Sequence, residues 1–203
     1  MRLATRLALA VLVLACGCRQ AAGPAPDYRP EEAGTVDHAL CLLGFAAVPV
    51  REVGTGHHLV EATINGRTGD FVLDTGANMT VIDRSHLPRF GLSPASGDLG
   101  GAIGIGSGGH ASRVPIEGFV IGPVEIRQNR VVSSDLGQLL TVLSRASGRT
   151  VNGIIGQDVL AEHRAIIDVA RPMLYLMEED SDPAPIPADR CRASEVTVGK
   201  VSS

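Results

Sequence analysis

The stretch Phe71-Val72-Leu73-Asp74-Thr75-Gly76-Ala77 constrains this chain more than any other, because an apolar run halts on a carboxylate and passes at once into a hydroxyl, a glycine and a small residue. Large and β-branched apolar residues favour an extended, half-buried backbone, so residues 67–73 read as a strand with Asp74 at its end. Gly76 permits a tight turn, which would hold the Asp74 side chain beside neighbouring backbone N–H donors. A carboxylate held still in this way is suited to acid or base chemistry. An Asp-Thr-Gly triplet alone is a weak signal, since the same residues mark ordinary turns; the apolar prefix sharpens it.

The rest of the chain supplies short strands around that stretch. Residues 48–53 and 59–64 read as strands, and Asn65-Gly66 before the strand 67–73 is a hairpin turn signal. Residues 79–82 continue extended, and 85–90 form a short helical turn closed by Gly91. Residues 97–109 contain seven glycines and little apolar content. Residues 112–119, 120–126 and 130–132 alternate as strands do, with Gly122-Pro123 as a turn. Over residues 135–145 the period changes: Leu136, Leu139, Leu140 and Leu143 fall on one helical face, with Ser133 or Ser134 available as N-cap and Gly148 as a stop. Gly153-Ile154-Ile155-Gly156-Gln157-Asp158-Val159-Leu160 then places an apolar pair between glycines, the composition of a strand that another backbone passes closely. A helix over 157–163 and strands over 164–169 and 173–177 complete the pattern.

In this order, the block around Asp74 and the block Gly153 to Leu160 resemble the retropepsin-like aspartic proteases, and the resemblance follows the bacterial single-domain branch over residues 48–177. It implies an all-β fold, a small closed β-barrel of the retropepsin type with short helices, forming half of a dimeric enzyme. It makes Asp74 the catalytic residue, with Thr75, Gly76 and Ala77 supporting the catalytic loop. Ile103, Gly104, Ile105 and Gly106 fall where the family has a flap that closes over the substrate. Ile154, Ile155 and Gly156 fall in the loop that passes behind the site. The match is not complete. Asn78 stands where retroviral members carry an acidic residue and Gln157 where they carry an arginine, so a neutral polar contact is expected in place of a salt bridge, which avoids an unpaired buried charge.

Metal-free peptide hydrolysis by this route needs two carboxylates, and this chain offers one Asp-Thr-Gly motif. Asp70, Asp83, Asp98, Asp135, Asp158 and Asp168 lack the Ser/Thr-Gly continuation, and 203 residues leave no room for a duplicated half. A homodimer would bring Asp74 to its symmetry mate, because an interface of one patch with itself puts identical residues at the two-fold axis. The expected partners are therefore a second copy and a peptide or protein substrate. No His/Glu cluster has metal-ligand spacing, so neither metal nor cofactor is expected. A formal net charge of -4 without a basic cluster leaves no footprint for nucleic acid.

The chain begins with an export address. Arg2 and Arg6 precede an apolar run over residues 7–15, too short to span a bilayer as a mature helix. Val13-Leu14-Ala15-Cys16 resembles a lipobox, which makes Cys16 the expected lipid-attachment site and Cys18 a poorer second choice. The resulting organisation is a signal peptide with lipobox over 1–18, a tether and N-terminal segment over 19–46, the protease domain over 47–178 and a proline-rich, disordered tail over 179–203, within which 195–201 could form a strand. Cys41 and Cys191 remain; an oxidising compartment permits a bridge between them, but sequence does not show two distant sites within bonding distance. The expected setting is the periplasm or cell envelope, with the protein anchored to a membrane as a lipoprotein. The alternative is a non-catalytic envelope lipoprotein that uses the barrel to bind peptides.

Overall fold

The computed structural model describes residues 28–94, 111–178 and 183–191. The residues expected as flap (103–106), as lipid-attachment site (Cys16) and as a possible strand (195–201) lie outside them. The described chain is mostly β with a few short helices. In order it runs α1 (Val36–Leu42), β1 (Phe45–Pro49), β2 (Arg51–Glu52), β3 (His58–Ile64), β4 (Arg67–Leu73), β5 (Val81–Asp83) and a 3₁₀ helix (Arg84–Phe90). There follow β6 (Ser112–Pro115), β7 (Phe119–Ile121), β8 (Val124–Glu125), β9 (Arg130–Ser134) and α2 (Gly137–Ser147). The last elements are β10 (Val151–Ile155), α3 (Gln157–Glu162), β11 (Ile166–Asp168), β12 (Met173–Met177) and a second 3₁₀ turn (Ala188–Cys191).

Asn65 and Gly66 both adopt positive φ, 50° and 73°, and join β3 to β4 as a two-residue hairpin with Ile64 opposite Arg67. Such a turn matches the natural twist of paired strands, which is why Asn-Gly was a usable signal. From β4 a nine-stranded sheet extends in the order β6-β9-β5-β10-β4-β3-β7-β8, with β2 also on β3. A second sheet has the order β1-β12-β11.

The expected closed barrel is corrected here: among the described residues the large sheet is open, with β6 and β8 at its two ends. The outer edge of β3 is divided between two short partners, β2 at residues 58–59 and β7 at residues 62–64. The terminal β8 has two residues, too few to carry a ladder round to the far edge, as closure requires.

Two apolar layers hold the sheet. Phe71, Ile82, Phe90, Phe119, Ile155 and Leu174 belong to the larger core on one face, all fully buried. On the other face, register aligns Leu59, Val72, Ile154, Val81 and Val132 into one row across five strands. Leu136, Leu140 and Leu143 cover this row, with Ala77 and Met79 packed at its edge. Eleven residues of helix are marginal alone, and burying each of these leucines contributes roughly 1.5–3 kcal/mol, which accounts for the docking of α2. Leu139, expected on the same face, is 48% exposed. The expected serine N-cap is also absent: Ser133 and Ser134 lie in β9, and the start of α2 is held instead by Leu136 N–H donating to Asp83 at 2.7 Å. Gly148 ends the helix at φ 66° as expected.

Sequence reading did not identify α1. Thr35 caps it by accepting from the His38 N–H at 3.1 Å. Asp37 then accepts from Tyr175 Oη at 2.5 Å, Arg171 Nη1 at 3.0 Å and the Arg29 N–H at 3.0 Å, which ties the N-terminal segment to β12. Burial by itself pushes the Asp37 carboxyl up, but the hydrogen bonds from Tyr175, the Arg29 backbone and Arg171 outweigh it and hold the group below its ordinary 3.8. A carboxyl lowered on folding contributes stability above its unfolded value, and that contribution is lost as pH falls through the folded one. The question left open for the cysteines is resolved: Cys41 and Cys191 are joined, with Cα atoms 5.8 Å apart across a sequence separation of 150.

Candidate active site

Asp74 is the first residue beyond β4, and its N–H donates to the Ile155 carbonyl at 3.1 Å, so its backbone is still held by the sheet. The chain then turns: Ala77 N–H donates to the Asp74 carbonyl at 3.2 Å, and Gly76 N–H donates to Asp74 Oδ1 at 2.8 Å. One carboxylate oxygen is thereby fixed by a backbone donor. Oδ2 has no hydrogen-bond partner among the described residues, and the group is half-buried. Gly76 serves the turn differently from the expectation. Its φ is not positive, but a Cβ at this position would stand 3.2 Å from Asp74 Oδ1.

The loop from Asp74 to Thr80 carries the chain from β4 to β5, and β10 runs between those two strands, parallel to β4 and antiparallel to β5. The loop therefore crosses the end of β10. The crossing is close: a Cβ on Gly156 would meet the Met79 carbonyl carbon and oxygen at 2.6 Å and the Ala77 oxygen at 2.9 Å. One on Gly153 would overlap the Val81 carbonyl oxygen and reach the Phe71 ring at 3.0 Å. The two glycines read from the sequence as a site of backbone approach are placed there. Ile154 and Ile155 between them are buried, one in each apolar layer.

Gln157 follows at the start of α3 and braces the loop twice. Its N–H donates to the Ala77 carbonyl and its Nε2 to the Thr75 carbonyl, each at 2.8 Å. The expected neutral contact at Gln157 is thus present, but with a different partner: it meets Thr75 main chain, and no hydrogen bond joins it to Asn78 among the described residues. Thr75, Gly76 and Asn78 are exposed.

Two further residues at the loop were missed. Thr80, fully buried, donates through its N–H to Asp158 Oδ2 at 2.9 Å and through its hydroxyl to Asp158 Oδ1 at 2.8 Å. Asp158 had been set aside because no Ser/Thr-Gly follows it. The available signal was an acidic residue in the first turn of a helix that begins directly behind the loop.

Three buried or half-buried carboxylates, Asp70, Asp83 and Asp168, are engaged elsewhere. Asp70 pairs with Arg149 at 2.6 Å, and Asp168 with Arg171 at 2.9 Å. Asp83 accepts from the N–H groups of Ser85 and Leu136 at 2.9 and 2.7 Å. A cavity of about 430 Å³ between α2 and the first 3₁₀ helix, lined by Asp83, His86, Ser144 and Arg149, lies beside the start of β10, at the opposite end of these strands from Asp74.

The sequence model of the aspartyl protease family matches residues 60–159, a span that contains both blocks. Similar solved structures include a retropepsin-like aspartic protease from Rickettsia conorii, at 18% identity over 66% of this chain and 89% of that one, TM-score 0.40. The protease of EIAV in complex with an inhibitor is similar at 19% identity over 54% and 90%, TM-score 0.39. The retroviral protease-like domain of Ddi1 from Leishmania major is similar at 18% identity over 64% and 94%, TM-score 0.42. No curated protein matches the chain by sequence.

Proposed function

We propose, from the match of the aspartyl protease family to residues 60–159, that this chain is an aspartic endopeptidase of the retropepsin-like kind in which the Asp74 carboxylates of two copies share one site. The observation that carries this reading is the presentation of Asp74: a half-buried carboxylate at a strand end, one oxygen held by the Gly76 N–H and the other without a partner among the described residues. In such a pair the two groups share one proton, because adjacent like charges cannot both ionise readily. The ionised member takes a proton from water as that water attacks the peptide carbonyl, and the protonated member polarises the carbonyl oxygen.

Two copies are favoured over one because the described chain offers no free second carboxylate at the loop. Asp158 is the carboxylate bound directly to it. Both its oxygens are occupied, Oδ1 by the Thr80 hydroxyl and the Val159 N–H and Oδ2 by the Thr80 N–H. The exposed Thr75 and Gly76 are the part of the loop that a second copy would meet. Residues 103–106 are proposed as the flap, donating backbone hydrogen bonds to an extended peptide.

The test is the pH dependence of peptide cleavage with inhibitors alongside. A shared-proton pair gives a bell-shaped rate with its optimum in mild acid, blocked by pepstatin-like compounds and indifferent to chelators. Cleavage abolished by a chelator would overturn the metal-free mechanism, and a folded dimer that cleaves no peptide would favour the peptide-binding lipoprotein.

An exported, membrane-anchored setting is proposed from the lipobox-like Val13-Leu14-Ala15-Cys16. Cys16→Ser should shift the protein from membrane to soluble fractions or leave its leader uncleaved, and Cys18→Ser should do neither. The reverse pattern would make Cys18 the attachment site.

A further inference from the structure

We propose that Asp158 is a positioning residue for the reaction: it fixes the far end of the loop whose near end presents Asp74. This rests on the aspartic-protease reading above. The near end is held by the sheet through the Asp74 N–H bond to Ile155. At the far end, every polar group of Thr80 is engaged. Its N–H and hydroxyl both donate to Asp158, its hydroxyl oxygen accepts from the Gly156 N–H at 3.1 Å, and its carbonyl accepts from the Val132 N–H at 3.1 Å.

Asp158 is itself fixed. It lies in the first turn of α3, where a carboxylate is favoured by the helix dipole, and Oδ1 also accepts from the Val159 N–H at 2.9 Å. The residues joined are 78 apart in sequence, and the bonds are part-buried, with Thr80 itself fully buried, so they are exchanged for solvent contacts less readily than surface bonds. Between the two fixed ends the loop has few remaining freedoms, and Gln157 removes one more by holding the Ala77 and Thr75 carbonyls. The carboxylate is required because each of its oxygens accepts from a backbone N–H, Oδ2 from Thr80 and Oδ1 from Val159. An asparagine offers one oxygen and an NH₂, so in one amide orientation the Thr80 N–H faces a donor and in the other the Val159 N–H does.

The experiment measures kcat and KM separately for Asp158→Asn, Thr80→Val and Thr80→Ser, together with amide hydrogen exchange at residues 77–80. A displacement of the loop by a fraction of an ångström is expected to lower kcat about 10- to 100-fold in Asp158→Asn and in Thr80→Val, with KM within about twofold because substrate contacts elsewhere remain. Thr80→Ser, which keeps the hydroxyl, should return kcat to within about threefold of the native value, and the double variant Asp158→Asn with Thr80→Val should be little worse than either alone, since both remove the same link. Exchange should quicken at Thr80 and its loop while the rest of the protein keeps its protection. Native kcat and native exchange in a folded Asp158→Asn protein would overturn the proposal, as would a loss that merely tracks the fraction unfolded. Should the native protein cleave no peptide, the protease reading falls, yet unchanged exchange at Thr80 in the variants would still count against Asp158 and quickened exchange for it.

Discussion

Replacing Asp74 by Asn is expected to abolish peptide cleavage while leaving the fold intact. The side chain is half-buried and its structural role is one hydrogen bond, accepted from the Gly76 N–H at 2.8 Å, which an amide oxygen accepts equally well. The melting temperature should therefore stay within a few degrees of the native value, since one preserved hydrogen bond leaves little to lose. The chemistry has no such substitute. An amide neither takes a proton from water nor shares one with a second carboxylate, and loss of a general acid–base group costs about 10²- to 10⁴-fold. With both halves of the pair removed in the homodimer, the upper end of that range or beyond applies. Residual cleavage within tenfold of native would assign the chemistry to another group.

The largest effect on stability is expected from Gly153→Val. Gly153 pairs with β4 on one side and β5 on the other. Its missing Cβ would overlap the Val81 carbonyl oxygen, with Phe71 and Ile82 within 3.1 Å. Flexible side chains can yield to an added methyl, but here the obstacle is backbone that is hydrogen-bonded into the same sheet. Overpacking a well-packed core already costs about 1–3 kcal/mol where side chains can shift. With backbone as the obstacle the cost should exceed this and consume much of the roughly 5–15 kcal/mol by which domains of this kind are stable. Circular dichroism and urea denaturation should show a protein unfolded at physiological temperature. Gly54→Ala is the control, because nothing lies within 4 Å of its missing Cβ. If both variants melt alike, β10 is not threaded between β4 and β5.

What could be read in advance followed from how local each constraint is. Asn65-Gly66 specified a hairpin because the positive φ it needs is a property of those two residues. Gly153 and Gly156 marked a close backbone approach because only the absence of a side chain permits one. The leucine spacing fixed α2, but its start depended on Asp83, which lies more than fifty residues upstream and reaches the helix only through the fold. The same limit hid α1, a seven-residue helix whose stability comes from Asp37 meeting Tyr175 and Arg171. It also left the Cys41–Cys191 bridge open and kept Asp158 out of the site, since its partner Thr80 becomes its neighbour only when the loop crosses behind β10. Barrel closure was carried over from the resemblance, and the two-residue β8 shows why the pattern of strands did not ensure it.

The shared site is tested most directly by mixing subunits. Native and Asp74→Asn chains are unfolded together in equal amounts and refolded, with size measurements confirming that mixed dimers form. Random pairing places two native chains together in about one dimer of four, while the total number of dimers doubles. If each chain supplies half of one site, activity per native chain should fall to about half of that measured without the variant. Activity per native chain that is unchanged in the presence of confirmed mixed dimers would contradict the account and place the second carboxylate within the same chain.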